Sequence, residues 1–195
     1  GLGDVYKRQV NEWSETNLTA DFVLSPPLTA HSALPLGVED AVKDIDGVED
    51  TATLSIGALL VIPPEEAPTM MDSMPEQLEG GPEGGNASVF NGDVAKWYGT
   101  RAIQGSLDLA KPEAGIVISE STAQKNRWQI GTELAVIAKS GVVQLPVTGI
   151  FADTGDPGQS IIISDAAIHE HINSRLILPL QTYVCLLYTS DAADE

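Results

Sequence analysis

The sequence predicts an α+β fold with two lobes, a first lobe that contains a βαβ unit and a second, β-rich lobe with short helices. Residues 35–47 have apolar positions at helical spacing, and from Thr51 the apolar period changes to two. Residues 115–155 combine a short apolar run, a helix-capping serine and two β-branched runs joined at a glycine.

Both ends of the chain are predicted to be foreign to the protein. Residues 1–9 (GLGDVYKRQ) and 185–195 (CLLYTSDAADE) resemble translations of the adapter used in transposase-based DNA library preparation. We therefore expect the natural material to be residues 10–184, a fragment of a longer gene, and leave both ends out of the fold prediction.

The natural segment is expected to divide as follows. Residues 10–92 form the βαβ-like lobe, which includes a flexible Pro/Gly/Glu loop at 63–86. Residues 93–175 form the β-rich lobe. Residues 176–184 form a truncated strand that returns to the first lobe.

The composition excludes one class of partner. The chain carries a net charge of −18, and about −16 remains without the two terminal segments, so a nucleic acid would be repelled. Cys185 is the one cysteine and lies in the second of these segments, so the natural segment is predicted to contain no disulfide and no thiolate metal site. No run of about 18 to 20 apolar residues, the length of a membrane helix, occurs in it.

The first lobe begins with a strand at 20–24, which Pro26 and Pro27 end. A helix then starts near Pro35 and closes at Gly47. One stripe of that helix is predicted to be buried, at Val38, Ala41, Val42 and Ile45.

A long strand is predicted over residues 51–62. Its buried face comprises Ala52, Leu54, Ile56, Ala58, Leu60 and Ile62. Its other face is expected to be exposed to solvent near the start of the strand, at Thr51, Thr53, Ser55 and Gly57. Further along the strand, at Leu59 and Val61, the same face is expected to be covered.

Residues 63–86 concentrate Pro, Gly and Glu and break every period, which predicts a long flexible loop. The alternative is an arm that contacts a substrate or partner, with Met70, Met71 and Met74 as an adaptable apolar patch. A strand at 88–90 and one helical turn at 94–98 follow, and Trp97 and Tyr98 are expected to be core residues.

The second lobe is predicted in most detail at 115–155. A strand at 116–118 leads into a helix capped by Ser119, and Gly131 takes a positive φ where the chain turns back. Strands at 133–138 and 142–152 form a hairpin, in which Gly141 is expected to be the left-handed residue. A strand at 160–164, a helix from Ser164 to Ile172 and a strand at 176–184 complete the chain.

From its motifs, the sequence is predicted to contain no catalytic, cofactor-binding or metal-binding residue. His169 and His171 are two residues apart, so on a helix they point to different faces, and no third ligand is evident. The acidic turn that begins at Asp153 lacks the ligand spacing of a calcium loop. No nucleophile elbow, P-loop or dinucleotide fingerprint is present, so we expect the segment not to be an enzyme.

Several short motifs occur in a characteristic order along residues 20–172: Asp21-Phe22-Val23, Gly47-Val48, Gly105, Val117-Ile118-Ser119, Ala123, Gly131 and Gly149-Ile150. In this order and spacing they resemble the extracytoplasmic core domain of MacB/FtsX-type ABC-transporter permeases. Two features depart from that family: Thr132 stands where it usually has Asp, and the Pro/Gly/Glu loop is long.

This resemblance implies a two-lobed ectodomain held outside the cell membrane between two transmembrane helices of a permease subunit. It implies as partners a cytoplasmic ABC ATPase, a second permease subunit in a dimer, and an unidentified substrate or protein outside. Ser119, Gly131 and Gly141 are then architectural residues.

Two alternatives stay open at this point. The first is a secreted binding or interaction module without catalytic activity. The second is an enzyme whose catalytic residues lie outside the segment.

Overall fold

A computed structural model of the chain describes residues 19–27, 33–72, 85–153 and 159–187. This part of the chain is an α+β fold, as predicted. Its strands are β1 (Phe22–Leu24), β2 (Val48–Gly57), β3 (Leu60–Ile62), β4 (Ser88–Phe90), β5 (Ala102–Gly105), β6 (Ile116–Ser119), β7 (Glu133–Ala138), β8 (Gly141–Phe151), β9 (Ile161–Ser164) and β10 (Ile177–Leu186). Its α-helices are α1 (Val38–Lys43), α2 (Ala67–Asp72), α3 (Val94–Tyr98), α4 (Glu120–Asn126) and α5 (Asp165–Ile168).

All ten described strands belong to one sheet. Its order is β1-β10-β2-β4-β9-β6-β8-β7-β3, and β5 also pairs with β8. The β4–β9 and β6–β8 pairs are parallel, and the other strand pairs are antiparallel. Strands of the first predicted lobe lie on both sides of the strands of the second, because β4 pairs with β9 and β3 pairs with β7. The division into two lobes, with its boundaries, therefore stays a prediction.

The sheet buries a different core on each face. An aliphatic core gathers one set of alternate residues from β6 and β9, which includes Ile116, Ile118, Ile161 and Ile163. An aromatic core takes Val117 and Ile162 from the other face of the same strands. Its aromatic members are Phe90, Trp97, Tyr98, Phe151 and Tyr183. Trp97 and Tyr98 are each 1% exposed, so the prediction that they are core residues is confirmed.

The predicted single strand over 51–62 is wrong, since it divides into β2 and β3. The Leu59 amide donates to the Gly57 carbonyl oxygen at 2.9 Å, which makes a tight turn there. Any side chain on residue 57 would lie 2.8 Å from the Leu176 carbonyl oxygen. The backbone turns at this point, so β2 pairs with β10 and β4, whereas β3 pairs with β7.

The predicted buried stripe of α1 is also wrong. Helix α1 contains no buried residue, and Ile45, just beyond its end, is 58% exposed. Both faces of β2 are covered, because Thr51, Thr53 and Ser55, on the face that is expected to be exposed, are buried, and so are Ala52 and Leu54 on the other face. Polar side chains on β2 therefore help to hold α1 against the sheet.

The predicted flexible loop is wrong for its first part. Residues Pro64–Glu66 form a 3-10 turn that leads into α2. Ala67 and Met70 pack against the buried side chains of β3 and β7. The last two residues of the predicted loop are described, and the Asn86 amide donates to the Leu59 carbonyl oxygen at 3.0 Å. The prediction for residues 73–84, which include Met74, and for the side chain of Met71 falls outside the described residues.

The unit at 115–155 largely follows its prediction. Ser119 accepts a hydrogen bond from the Thr122 amide as the N-cap of α4, and Gly131 has a φ of 90°. The role given to Gly141 is wrong, because its φ is not positive. The ladder pairs Gly141 with Ala138, so it is already a strand residue and the turn consists of Lys139 and Ser140 alone.

Two elements near the C-terminus differ in length from their predictions. Helix α5 ends at Ile168 rather than Ile172. Strand β10 runs on to Leu186, so the first residues of the segment assigned to the adapter pair with β2; the adapter interpretation itself stays a prediction. Among the described residues, none of the helices has the length and apolarity needed to cross a membrane.

Candidate functional site: a polar cleft beneath α1

The candidate site is a cleft of about 310 Å³ between α1 and the sheet, which we call the α1 cleft. It is enclosed by α1 with the three residues before it, by β2 and β10, by Asn91 just after β4, and by residues between Asp165 and Ser174. Its lining comprises Pro35, Leu36, Gly37, Val38, Glu39, Asp40, Lys43, Thr53, Ser55, Asn91, Asp165, His169, Ser174, Ile177, Pro179 and Thr182.

The floor of the cleft is built from hydroxyl groups on β2 and β10. The two strands place Thr53 opposite Thr182, and their Oγ1 atoms lie 2.9 Å apart in a buried hydrogen bond. Directly opposed side chains of antiparallel strands share a face and approach closely. Two buried hydroxyls thus satisfy each other beneath the cleft.

Glu39 fixes one wall of the cleft. Asn91 Nδ2 donates to both carboxylate oxygens of Glu39, at 3.1 and 2.8 Å, and Thr51 Oγ1 donates to Oε1 at 3.2 Å. Asn91 Oδ1 in turn accepts from the Thr53 amide at 2.7 Å. Asn91 follows the last residue of β4, so its side-chain amide bonds to β2 just beyond the last backbone pair of β2 and β4. A network of charged and amide groups therefore anchors α1, in place of an apolar stripe.

The opposite wall is acidic. Asp165 is half-buried, and no described residue donates a hydrogen bond to its carboxylate. Burial raises the pKa of Asp165; the positive charge of nearby His169 lowers it and the negative charge of Glu39 raises it further. The ring of His169 is held by its own helix, with Nδ1 2.8 Å from the Ala166 carbonyl oxygen. Negative charge in the cleft is thus incompletely neutralised by its own residues.

The residues that the sequence singled out do not assemble into one site. His169 lines the α1 cleft, whereas His171 is exposed and its carbonyl oxygen faces Gly141. Asp153 Oδ1 accepts a hydrogen bond from the Ser121 amide at 3.1 Å, which ties it to the start of α4. Within the described ranges, no group of three His, Cys, Asp or Glu residues is placed to hold a metal ion.

The sequence prediction did not identify the residues that shape the cleft. Glu39, Asn91, Asp165 and Thr182 come from four distant segments, and no local motif joins them. One signal was present in the alternating hydroxyl residues of β2. It was interpreted as a solvent-exposed face, whereas it is the covered floor.

Comparison with known proteins gives likenesses in structure only. No family model matches the chain, and no curated protein matches it. The periplasmic region of MacB from Actinobacillus actinomycetemcomitans is similar with a TM-score of 0.50 and 13% identity, over 88% of this chain and 78% of that one. A domain of a protein described as a permease from Porphyromonas gingivalis has a TM-score of 0.49 and 18% identity, with the same coverage. The chain thus shares the fold of the MacB periplasmic region.

Proposed function

We propose that this chain, which has the fold of the MacB periplasmic region, is the extracytoplasmic domain of an ABC-transporter permease subunit. In this role it couples a cytoplasmic ATPase to export or mechanical work outside the membrane. The observation that supports the proposal most is the likeness in fold over 88% of the chain.

The sequence motifs support the same proposal, because two of the glycines that carry the resemblance are required by the backbone. Gly105 and Gly149 face each other in the β5–β8 ladder. A Cβ atom on Gly105 would overlap the Thr148 carbonyl oxygen, and one on Gly149 would overlap that of Ser106. The resemblance therefore rests on positions where this fold leaves no space for a side chain.

The proposal includes partners that lie outside the chain. The ATPase acts through the membrane part of the permease, a second permease subunit completes a dimer, and a substrate or protein outside the membrane is acted on. A nucleic acid is not among these partners, since a net charge of −18 repels phosphates.

We expect this domain to catalyse no reaction. In the α1 cleft the Thr53 and Thr182 hydroxyls bond to each other, so neither is paired with a base that would activate it as a nucleophile. The carboxylate of Glu39, which also lines the cleft, is occupied by hydrogen bonds from Asn91 and Thr51.

The DNA on both sides of the coding segment tests the proposal. We expect it to encode an apolar helix closely upstream of residue 10, another downstream of residue 184, and an ATPase gene next to the permease gene. A reading frame that encodes a complete protein without any membrane helix would contradict the proposal. In particular, a signal peptide without a membrane helix would favour the secreted binding module instead.

A further inference from the structure

We propose that the α1 cleft binds a small primary amine that carries an apolar group. This inference goes beyond the transport function and does not depend on it, since it concerns a cavity and its lining within the described residues. Three features carry it: the charge of the walls, the unused acceptors, and the combination of polar floor and apolar rim.

The charge of the walls favours a cation. The lining contains the carboxylates of Glu39, Asp40 and Asp165, against one lysine and one histidine. Lys43 Nζ lies 3.7 Å from Glu39 Oε1, so its charge is directed at the carboxylate that Asn91 already holds. Asp40 and Asp165 form no ion pair with a lysine or arginine among the described residues, although His169 lies near Asp165.

Asp165 provides an acceptor that the protein itself does not use. Its carboxylate is half-buried and receives no hydrogen bond from the described residues, and burial raises its pKa against the opposing effect of His169. An ammonium group beside it would supply both a hydrogen bond and a compensating charge. The Thr53–Thr182 pair on the floor offers further oxygen lone pairs.

The rim explains why the amine should carry an apolar group. Leu36 is 69% exposed at the edge of the cleft, and Val38, Ile177 and Pro179 add apolar surface. A volume of about 310 Å³ is at the lower end of the range for small-molecule pockets, about 300–1,000 Å³. A phenyl ring linked by two carbons to an ammonium group has a suitable size and polarity.

Two other ligand classes fit the lining less well. An anion would meet the carboxylates of both walls. A divalent metal ion needs several free oxygen ligands, but Glu39 is engaged by three hydrogen bonds. No metal-holding group of three residues occurs in the described part of the chain.

The test is an NMR titration of the ¹⁵N-labelled chain with 2-phenylethylamine, with 2-phenylethanol as a neutral ligand of the same shape. We expect saturable shifts of amides in α1 and at 177–182, and binding of the amine at least about tenfold tighter than that of the alcohol, because charge-assisted hydrogen bonds are the stronger ones. Asp165→Asn should weaken amine binding by about fivefold or more. Glu133→Gln removes an exposed carboxylate at the start of β7 and should leave binding unchanged.

Equal affinity for the amine and the alcohol would overturn the proposal, as would shifts confined to other parts of the chain or an absence of saturable shifts. An Asp165→Asn variant that is folded, as judged by its own spectrum, and binds as tightly as the parent would also overturn it. If that variant does not fold, Asp40→Asn replaces it, since Asp40 is an exposed residue of α1. The same loss of affinity is then expected, and an unchanged affinity contradicts the proposal.

Discussion

At the scale of single residues, two buried phenols connect distant parts of the fold. The hydroxyl oxygens of Tyr98 on α3 and Tyr183 on β10 lie 2.7 Å apart. Tyr183 donates its own proton to Gln181 Oε1 at 2.7 Å, so Tyr98 must be the donor to Tyr183. The rings also meet edge to face, with centroids 5.5 Å apart. Each hydroxyl therefore has a partner in the aromatic core, as buried polar groups require.

Because the pKa values of both phenols are raised in the folded chain, we expect the fold to lose stability at alkaline pH. Burial raises the pKa of Tyr183 to about 12, although the bond from Tyr98 lowers it slightly. Burial raises the pKa of Tyr98 still further above its ordinary value. In the unfolded chain both phenols lose their protons near pH 10, while the folded chain retains them. The free energy of unfolding should therefore be unaffected by these groups below about pH 10 and should fall as pH rises above it.

The variant Tyr98→Phe isolates this effect. It should cost about 1 kcal/mol at pH 7, since one buried hydrogen bond is lost. Its stability should then fall less steeply than that of the parent above about pH 10, because one shifted phenol is absent. Urea unfolding at a series of pH values measures both quantities. Parallel stability curves for variant and parent up to about pH 12 would show that Tyr98 does not titrate as described.

At the scale of elements, the long strand β8 depends on close approach between backbones. Its first half pairs with β7, and its second half has β6 on one side and β5 on the other. Gly149 lies where β5 and β6 both contact it. The absence of a side chain there lets the backbone of β5 lie directly against β8, with Ser106 amide donating to the Thr148 carbonyl oxygen at 3.0 Å.

We expect Gly149→Ala to destabilise the fold by about 2 kcal/mol or more, the range for forcing atoms into filled space. The added Cβ would overlap the Ser106 carbonyl oxygen, which is backbone and cannot rotate away. Gly131→Asn is the matched control, because residue 131 has a φ of 90° and open space around it. Asparagine tolerates this conformation, so the control should cost less than about 1 kcal/mol. Thermal or urea unfolding that shows equal costs for both variants would contradict this account of β8.

At the scale of the whole molecule, the sheet joins segments that are far apart in sequence. β4 pairs with β9, about 70 residues later, and β2 pairs with β10 at the end of the described chain. The α1 cleft lies above the β2–β10 pairing, so its floor and walls form only after these two strands have paired. The candidate site is therefore a property of the assembled sheet.

The same long-range pairing determines what the sequence alone could predict. Local signals sufficed for the 115–155 unit, where Ser119, Gly131 and the two strands occupy neighbouring positions. They also predicted the strand at 88–90 and, with a start one residue early at Ser160, the strand that ends at Ser164. Local signals failed at Gly57, where the strand partner changes from β10 to β7, because the alternation of apolar residues continues unchanged through this point. They failed again at α1, because this helix is held by the hydrogen bonds between Glu39 and Asn91 and contains no fully buried residue. The cleft residues share no motif and could not be grouped before the fold was known.

The central claim, that this chain is the extracytoplasmic domain of a membrane permease, is tested most directly by labelling the full-length protein in intact cells. A cysteine placed at exposed Ala110 is probed with a membrane-impermeant maleimide. A cysteine at Ala52, which is 0% exposed, controls for unfolded protein, and the cytoplasmic ATPase subunit controls for broken cells.

We predict that Ala110→Cys is labelled without permeabilisation, that Ala52→Cys and the ATPase are not, and that the labelled protein stays with the membranes after an alkaline wash. Labelling of Ala110→Cys only after the membrane is permeabilised would contradict the claim.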